Sequence, residues 1–562
     1  MTRAANASPT ATVPLDADAC YLALKTRDGR FDGHFFTGVR STGIYCRPVC
    51  KVRTPKQENC QFYGLAAQAE ATGFRPCLRC RPELAPSATA APGWSTQDAS
   101  AVLAQQAATL LDALLQSGQA ASGMEVVAAK LGVSARHLRR IFEAQWGISP
   151  LQYLQTRRLL CAKHLLTDTQ LPITQVAALS GFASLRRFNA AFVAHYRLQP
   201  RALRKESGAE VQLARERRLP ATANTLTASA SASCILLKAS YRPPYDVAAM
   251  LAFLQQRAIA GVEAVDLATL CYRRTIALAF NTQPLCGWVQ ARFLPERCMV
   301  EFQISESLLP ALPRLMADMR QLLDLDADPQ AIAACMDSRF AGLEGLRVPG
   351  TLDGFELAVR GILGQQIAVA AARTLATRLV HTLGIPMTTP YPELTHLFPS
   401  AAQLGVAGAQ VLGQLGIVRQ RQAAILALAQ AVAEQHIHLR AGGDIAQTVR
   451  DLQALPGIGP WTANYIAMRV LRWPDAFPAG DVALQSALGL RQHPHPAQEA
   501  ERLSQAWRPW RSYAVVRAWH TLAALQSSDT AAQREAAKPQ RTQRPTQTPT
   551  ASSTKVAAHE HP

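Results

Sequence analysis

The chain has 562 residues and 12 cysteines, yet no cysteine follows Cys335. Cysteines confined in this way do not form the chain-wide framework expected of a disulfide-stapled protein. No uninterrupted apolar stretch reaches the roughly 18 residues that a membrane-spanning helix needs. The polar start MTRAANASPT is not followed by a leader-like apolar run. These lacks exclude membrane-spanning helices and lead to the expectation of a soluble, intracellular protein with no membrane partner. Acid is also scarce: 40 Asp and Glu stand against 58 Lys and Arg, a formal net charge of +18. A chain so poor in carboxylate suits a polyanionic partner, with nucleic acid ahead of anionic lipid. The length is too great for a single core, so three or four domains are expected.

Composition divides the chain. Residues 1–17 are small and polar and read as a disordered tail. A compact unit spans 18–84, and the Ala/Pro/Ser-rich run after it makes 85–98 a linker. Apolar residues then recur at helical spacing over 99–204, as in Leu103, Leu110, Leu111 and Leu114. A second linker, 205–233, ends in PATANTLTASASAS. Strand-like runs at Cys234–Tyr241, Leu270–Phe280, Gly287–Leu294 and Cys298–Ile304 form a β-rich domain over 234–307, with a turn expected at Asn281-Thr282-Gln283-Pro284. Helices dominate 308–526, and 527–562 reads as a disordered tail. The fold class is therefore multidomain α+β: a small α/β unit, an all-α unit, an antiparallel β/α domain and a final all-α domain.

The most informative stretch is LPGIGPWTANYIAMRVLRWPDAFPAGD, Leu455 to Asp481. Two glycines and two prolines in six residues break one helix and start another at Trp461. Gly457 and Gly459 lack a Cβ that would obstruct a phosphate, and the amides at the next helix start suit an anion. The stretch closes on a carboxylate, Asp481. A capped helical corner with a surface Asp is the plainer alternative.

Cys46-Arg-Pro-Val-Cys50 and Cys77-Leu-Arg-Cys80 are two close pairs that can converge on one tetrahedral zinc, with Zn–S distances of about 2.3 Å. Spacing alone would favour a structural zinc. The surrounding STGIYCRPVCKVR and FYGLAAQAEATGFRPCLRCRPE resemble the N-terminal domain of the Ada family, which accepts a methyl group from a DNA phosphotriester. The likeness runs from about Tyr21 to Glu83. It implies zinc held by Cys46, Cys50, Cys77 and Cys80, with Cys46 as methyl acceptor and phosphate contacts at Thr42 and Arg53. Lys51, Arg75, Arg79 and Arg81 add positive charge. Methylating one of four thiolates removes a negative charge, which would strengthen attraction to DNA. Cys60, inside the pattern, reads as a small core residue.

MEVVAAKLGVSARHLRRIFEAQWG and LPITQVAALSGFASLRRFNAAFVAHYRLQP repeat one plan: an apolar helix, a Gly-centred turn, then a Ser-started helix with adjacent arginines. The serines cap, and Arg136, Arg139, Arg140, Arg186 and Arg187 project toward a groove. A helical bundle with a solvated basic face is the alternative that a single copy would leave open. The doubled pattern resembles the AraC-type DNA-binding domain across about Leu103 to Arg204.

From about Cys234 to Leu525 the chain resembles the AlkA type of helix-hairpin-helix glycosylase, in YRPPYDVAAMLAFLQQRAIAGVEAV, VRGILGQQIAVAAARTLATRLV, LPGIGPWTANYIAMRV and WRPWRSYAVVRAWH. The resemblance implies excision of alkylated purines flipped into an aromatic pocket, Trp461, Tyr465 and Trp519, beside a catalytic Asp481. Trp507 and Trp510 read as core. Lyase-competent relatives carry a lysine where Trp461 stands, so simple hydrolysis is expected; a Pro-Cys-His-Arg methyltransferase motif is absent. Where the family places a leucine wedge this chain has Gln366, and Gln366 or Ile367 fills the gap left by the flipped base. The reading that results is a fused sensor, transcriptional activator and excision enzyme. Its partners would be double-stranded DNA and the transcription machinery, and its location cytoplasmic and nucleoid-associated. A regulator with an idle glycosylase half, or one whose first two units only tether DNA, are the competing readings.

Overall fold

The computed structural model describes residues 16–87, 99–116, 123–204, 234–280 and 283–536. The linker over 205–233 and most of the expected segments over 1–17, 85–98 and 527–562 lie outside the described residues. Three edges differ from the compositional reading. Ala17–Thr26 is already a helix, capped by the Asp16 side chain. Ala85–Ser87 is pinned rather than loose, because the Ser87 amide donates to Asp326 Oδ1 at 2.6 Å. The last helix, Arg511–Ala536, runs past 526.

The first unit is a four-stranded sheet in the order Cys60–Tyr63, Phe36–Val39, Ile44–Cys46, Arg75–Pro76. The last pair is parallel and the others antiparallel. Phe36, Tyr45, Ala69 and Phe74 form its small core. Gly38 is required there: a Cβ would lie 2.9 Å from the rings of Tyr63 and Phe74. Cys60 is only half-buried, and its thiol faces the Lys56 carbonyl, so it is not the core residue expected.

The helical unit follows the doubled plan. Ser134 accepts from the His137 amide and Ser184 from the Arg187 amide, capping Ala135–Trp146 and Leu185–Tyr196. The preceding turns put Gly132 and Gly181 at φ 67° and 78°, where a side chain is disfavoured. The two halves nevertheless belong to different cores. Leu111, Val127, Leu138 and Phe142 pack together in the first half. Phe188 and Phe192 of the second half join Ile235, Leu237 and Leu315 of the next domain. The helix Pro150–Asp168, opened by a Ser149–Gln152 capping box, spans both cores.

The β-rich domain is an antiparallel five-stranded sheet ordered Cys234–Ser240, Met299–Ser305, Gln283–Leu294, Cys271–Phe280, Glu263–Asp266. The edge strand Glu263–Asp266 has too weak an alternation to stand out in sequence. Gln283 and Pro284, expected in a turn, are paired with Phe280 and Ala279. The helix Leu312–Leu322 buries Leu312, Leu315, Met319 and Leu322 against this sheet. The β-rich core thus extends beyond 307, the boundary drawn from composition. The remaining helices surround a separate core that includes Ile362, Leu428, Ile466 and Val515.

The units are bonded to one another. Arg242, 1% exposed, donates to the carbonyls of Asp32, Asp326 and Ser87. Lys163 pairs with Glu83 at 2.5 Å and Arg81 with Asp168 at 2.5 Å. Among the described residues, no helix is long and apolar enough to cross a membrane.

Candidate functional site

The hairpin Leu455–Gly459 and the helix Pro460–Arg469 place Trp461 and Tyr465 one turn apart, so their rings stack with centroids 5.6 Å apart and planes at 9°. Trp519, from Arg511–Ala536, lies 6.4 Å from Tyr465. All three rings are half-exposed, unlike Trp507 and Trp510, which are 1% and 8% exposed and sit in the core.

Asp481 lies at the edge of this aromatic group and is 8% exposed. Its Oδ1 accepts from the Leu484 amide at 2.7 Å, capping Val482–Ala487, and from Trp519 Nε1 at 3.1 Å. Its Oδ2 accepts from Trp461 Nε1 at 2.7 Å. Three donors and a helix start therefore complement one carboxylate. Beneath it, Arg469 donates to Tyr465 Oη at 2.6 Å and to the carbonyls of Pro349 and Gly350. Burial opposes ionisation of the Tyr465 phenol, but Arg469 and then Arg257 outweigh it and hold its pKa below the usual value.

Gly457 and Gly459 differ in their need for glycine. Gly457 has φ 76°, and a Cβ there would meet Ala424 Cβ at 3.0 Å. Around Gly459 a Cβ would meet nothing within 4 Å, so the free protein imposes no steric demand there. Gln366 is exposed at φ 56°, while Ile367 beside it is half-buried.

The second centre gathers Cys46, Cys50, Cys77 and Cys80, whose sulfurs all lie within 4.8 Å of one another. A tetrahedral zinc with Zn–S near 2.3 Å requires sulfurs about 3.8 Å apart, so the donor set fits. Bonding among the crowded thiols drives Cys46 above and Cys77 below the usual thiol range, as befits groups that cannot all ionise without a cation. The Arg47 amide donates to Cys80 Sγ at 3.3 Å, and Lys163 Nζ lies 3.4 Å from the Cys77 carbonyl. Thr42, Arg53 and Arg79 are exposed near the centre, as are Lys51 and Leu78. Arg81 is not free for phosphate, because Glu83 and Asp168 hold it. Arg136, Arg139, Arg140, Arg186 and Arg187 are all exposed, although Arg139 also pairs with Glu143 at 2.8 Å.

Comparison with known proteins accounts for each unit. Residues 19–83 match the metal binding domain of Ada, and 127–206 a helix-turn-helix domain. Residues 236–353 match the AlkA N-terminal domain, and 359–512 the HhH-GPD superfamily of base excision DNA repair proteins. Over 520 residues the chain is 37% identical to the probable bifunctional transcriptional activator/DNA repair enzyme AlkA of Mycobacterium tuberculosis, spanning 90% of this chain and 97% of that protein. The chain belongs to this bifunctional AlkA family. Its second half is 36% identical to DNA-3-methyladenine glycosylase 2 of Escherichia coli, over 50% of this chain and 96% of that protein. Its first part is 36% identical to the bifunctional transcriptional activator/DNA repair enzyme Ada of E. coli, over 26% of this chain and 37% of that protein.

Within this family member, Lys163, Arg469 and Gln365 are residues that sequence reasoning missed. The Tyr465-to-Arg469 spacing of four on one helix was a usable signal. Lys163 gave none, since its partner Glu83 lies in another domain.

Proposed function

We propose that this protein answers alkylation damage to DNA in two ways: it hydrolyses alkylated purines from the sugar, and it accepts a methyl group from a DNA phosphotriester and then activates transcription. The observation that carries the excision reading is the Asp481 carboxylate held by the indoles of Trp461 and Trp519 against a stacked Tyr465. The flipped base lies among these rings, where a cationic alkylated purine gains stacking and cation–π attraction. As the glycosidic bond breaks, positive charge grows on the sugar, and Asp481 stabilises it from a nearly dry position. Water supplies the hydroxyl that replaces the base, since Trp461, Tyr465 and Trp519 offer no amine for a covalent sugar adduct. Gln366 enters the space the base leaves, while Gly457 and Gly459 grip the backbone.

At the first centre, Cys46, Cys50, Cys77 and Cys80 would hold zinc, which would keep their sulfurs ionised. The Cys46 sulfur displaces the phosphotriester oxygen from the methyl carbon: an S–C bond forms, the C–O bond breaks, and the phosphodiester leaves as an anion. Thr42, Arg53 and Arg79 hold the phosphate, and the arginines of the two capped helices hold promoter DNA. The transcription machinery is the expected partner of the methylated form, on the nucleoid.

Incubation with alkylated duplex DNA tests the excision reading. Free alkylated base is expected from the native protein and not from Asp481→Asn, a substitution that preserves the helix cap. Release by the variant at the native rate sinks the role of Asp481. Mass spectrometry of Cys46 after exposure to methylphosphotriester DNA tests the second reading, and an unmodified Cys46 removes it, leaving a DNA tether.

A further inference from the structure

The loop between the helices Gly354–Leu363 and Val369–Leu383 carries a strained residue. Gln366 sits at φ 56°, a left-handed conformation that costs a residue with a side chain about 1 kcal/mol and persists only when its surroundings impose it. Gln365 supplies that constraint. Its Nε2 donates to the Gly457 carbonyl at 2.8 Å and to Thr462 Oγ1 at 2.9 Å, and Thr462 is 2% exposed. Its backbone carbonyl accepts from Arg421 Nη2. Both side-chain bonds end on the hairpin and the helix that follows it. The hairpin keeps its glycine at that point, since Gly457 is at φ 76° and a Cβ there would lie 3.0 Å from the Ala424 Cβ.

We propose that Gln365 is a positioning residue that locks the Gln366 loop to the Leu455–Gly459 hairpin, so that gripping the DNA backbone and inserting Gln366 into the duplex occur together. The inference rests on the excision reading of the pocket. Gln365 touches neither the base nor Asp481; it acts through Gln366. A movement of the hairpin onto a phosphate carries the Gly457 carbonyl with it, and through the amide carries the strained loop. A side chain of equal length without N–H donors fills the same space but breaks the link.

The test uses the full-length protein and two duplexes, one with the alkylated purine in a normal pair and one with it opposite an abasic analogue, where extrusion needs little help. Gln365→Met is expected to release base about tenfold more slowly than the native protein from the paired duplex, the size expected for losing neutral hydrogen bonds. From the unpaired duplex it should match the native rate. Gln365→Glu, which keeps the shape but loses both donors, should behave likewise, and Gln366→Ala should show the same dependence on pairing. Equal slowing on both duplexes, or no slowing on either, overturns the proposal. No release by the native protein from either duplex would instead sink the excision reading, and this inference with it.

Discussion

The two reactive centres of this chain solve opposite electrostatic problems. At the first, four sulfurs are crowded within 4.8 Å, and only a cation lets them be thiolates together. At the second, a single carboxylate is complemented by protein donors alone: the Leu484 amide and two indoles. On the proposed function, the first changes covalently when used and is spent after one transfer. On the same proposal, the second only stabilises charge and is regenerated. Each leans on a cation from beyond its own residues, Lys163 at the Cys77 carbonyl and Arg469 at Tyr465. The contrast shows how one basic chain can hold two such centres without shared residues.

The sharpest way to break this comparison is cross-inactivation. Cys46→Ser should abolish methyl acceptance and leave base release at the native rate. Asp481→Asn should lower release by roughly a hundredfold or more while methyl transfer proceeds. Assays of both activities on both variants check it, and loss of both by either substitution would show that the centres are not independent.

Removing Lys163 sharpens the contrast next. Lys163→Met leaves Glu83 buried without its closest cation, and breaking such a pair costs about 3 kcal/mol. Denaturant unfolding reads this at neutral pH. Burial opposes ionisation of Glu83, but Lys163 and Arg81 prevail and lower its pKa from 4.5 to about 2. The stabilisation is therefore complete above pH 4.5 and fades as pH falls through 2. The deficit of Lys163→Met should shrink over the same window, and a deficit that ignores acid would mean the pair is not its cause.

Trp519→Phe keeps a ring in the pocket but removes one of the three donors to Asp481. Base release should fall about tenfold in single-turnover kinetics, with methyl acceptance untouched. An unchanged rate would reduce the indole N–H to a bystander. The smallest effects are expected between the centres: Ser134→Ala and Ser184→Ala should each cost about 1 kcal/mol through loss of a helix cap, weaken promoter binding modestly and spare both chemistries.

The order of units, the four cysteines, both capped arginine helices and the hairpin with its acid were legible in the sequence. Each depends on short spacing: ligand pairs three or four residues apart, a serine before a helix, two glycines in a turn. The resemblances then gave these patterns their chemistry. Boundaries were less legible, because an amphipathic helix such as Leu312–Leu322 carries no mark of which core will receive it.

Sequence by itself determined that Cys46, Cys50, Cys77 and Cys80 can share a metal and that the hairpin carries Trp461, where the resemblance would place a lysine in a lyase. Only the tertiary structure decided what surrounds them. It brought Trp519 to Asp481 from 38 residues away and Lys163 to Glu83 from 80, it spent Arg81 on Asp168 instead of DNA, and it set Gln365 on the hairpin from 92 residues away. Local patterns follow from backbone geometry and can be read along the chain. Which buried charge or amide meets which partner depends on how separate cores pack, and no local spacing encodes that.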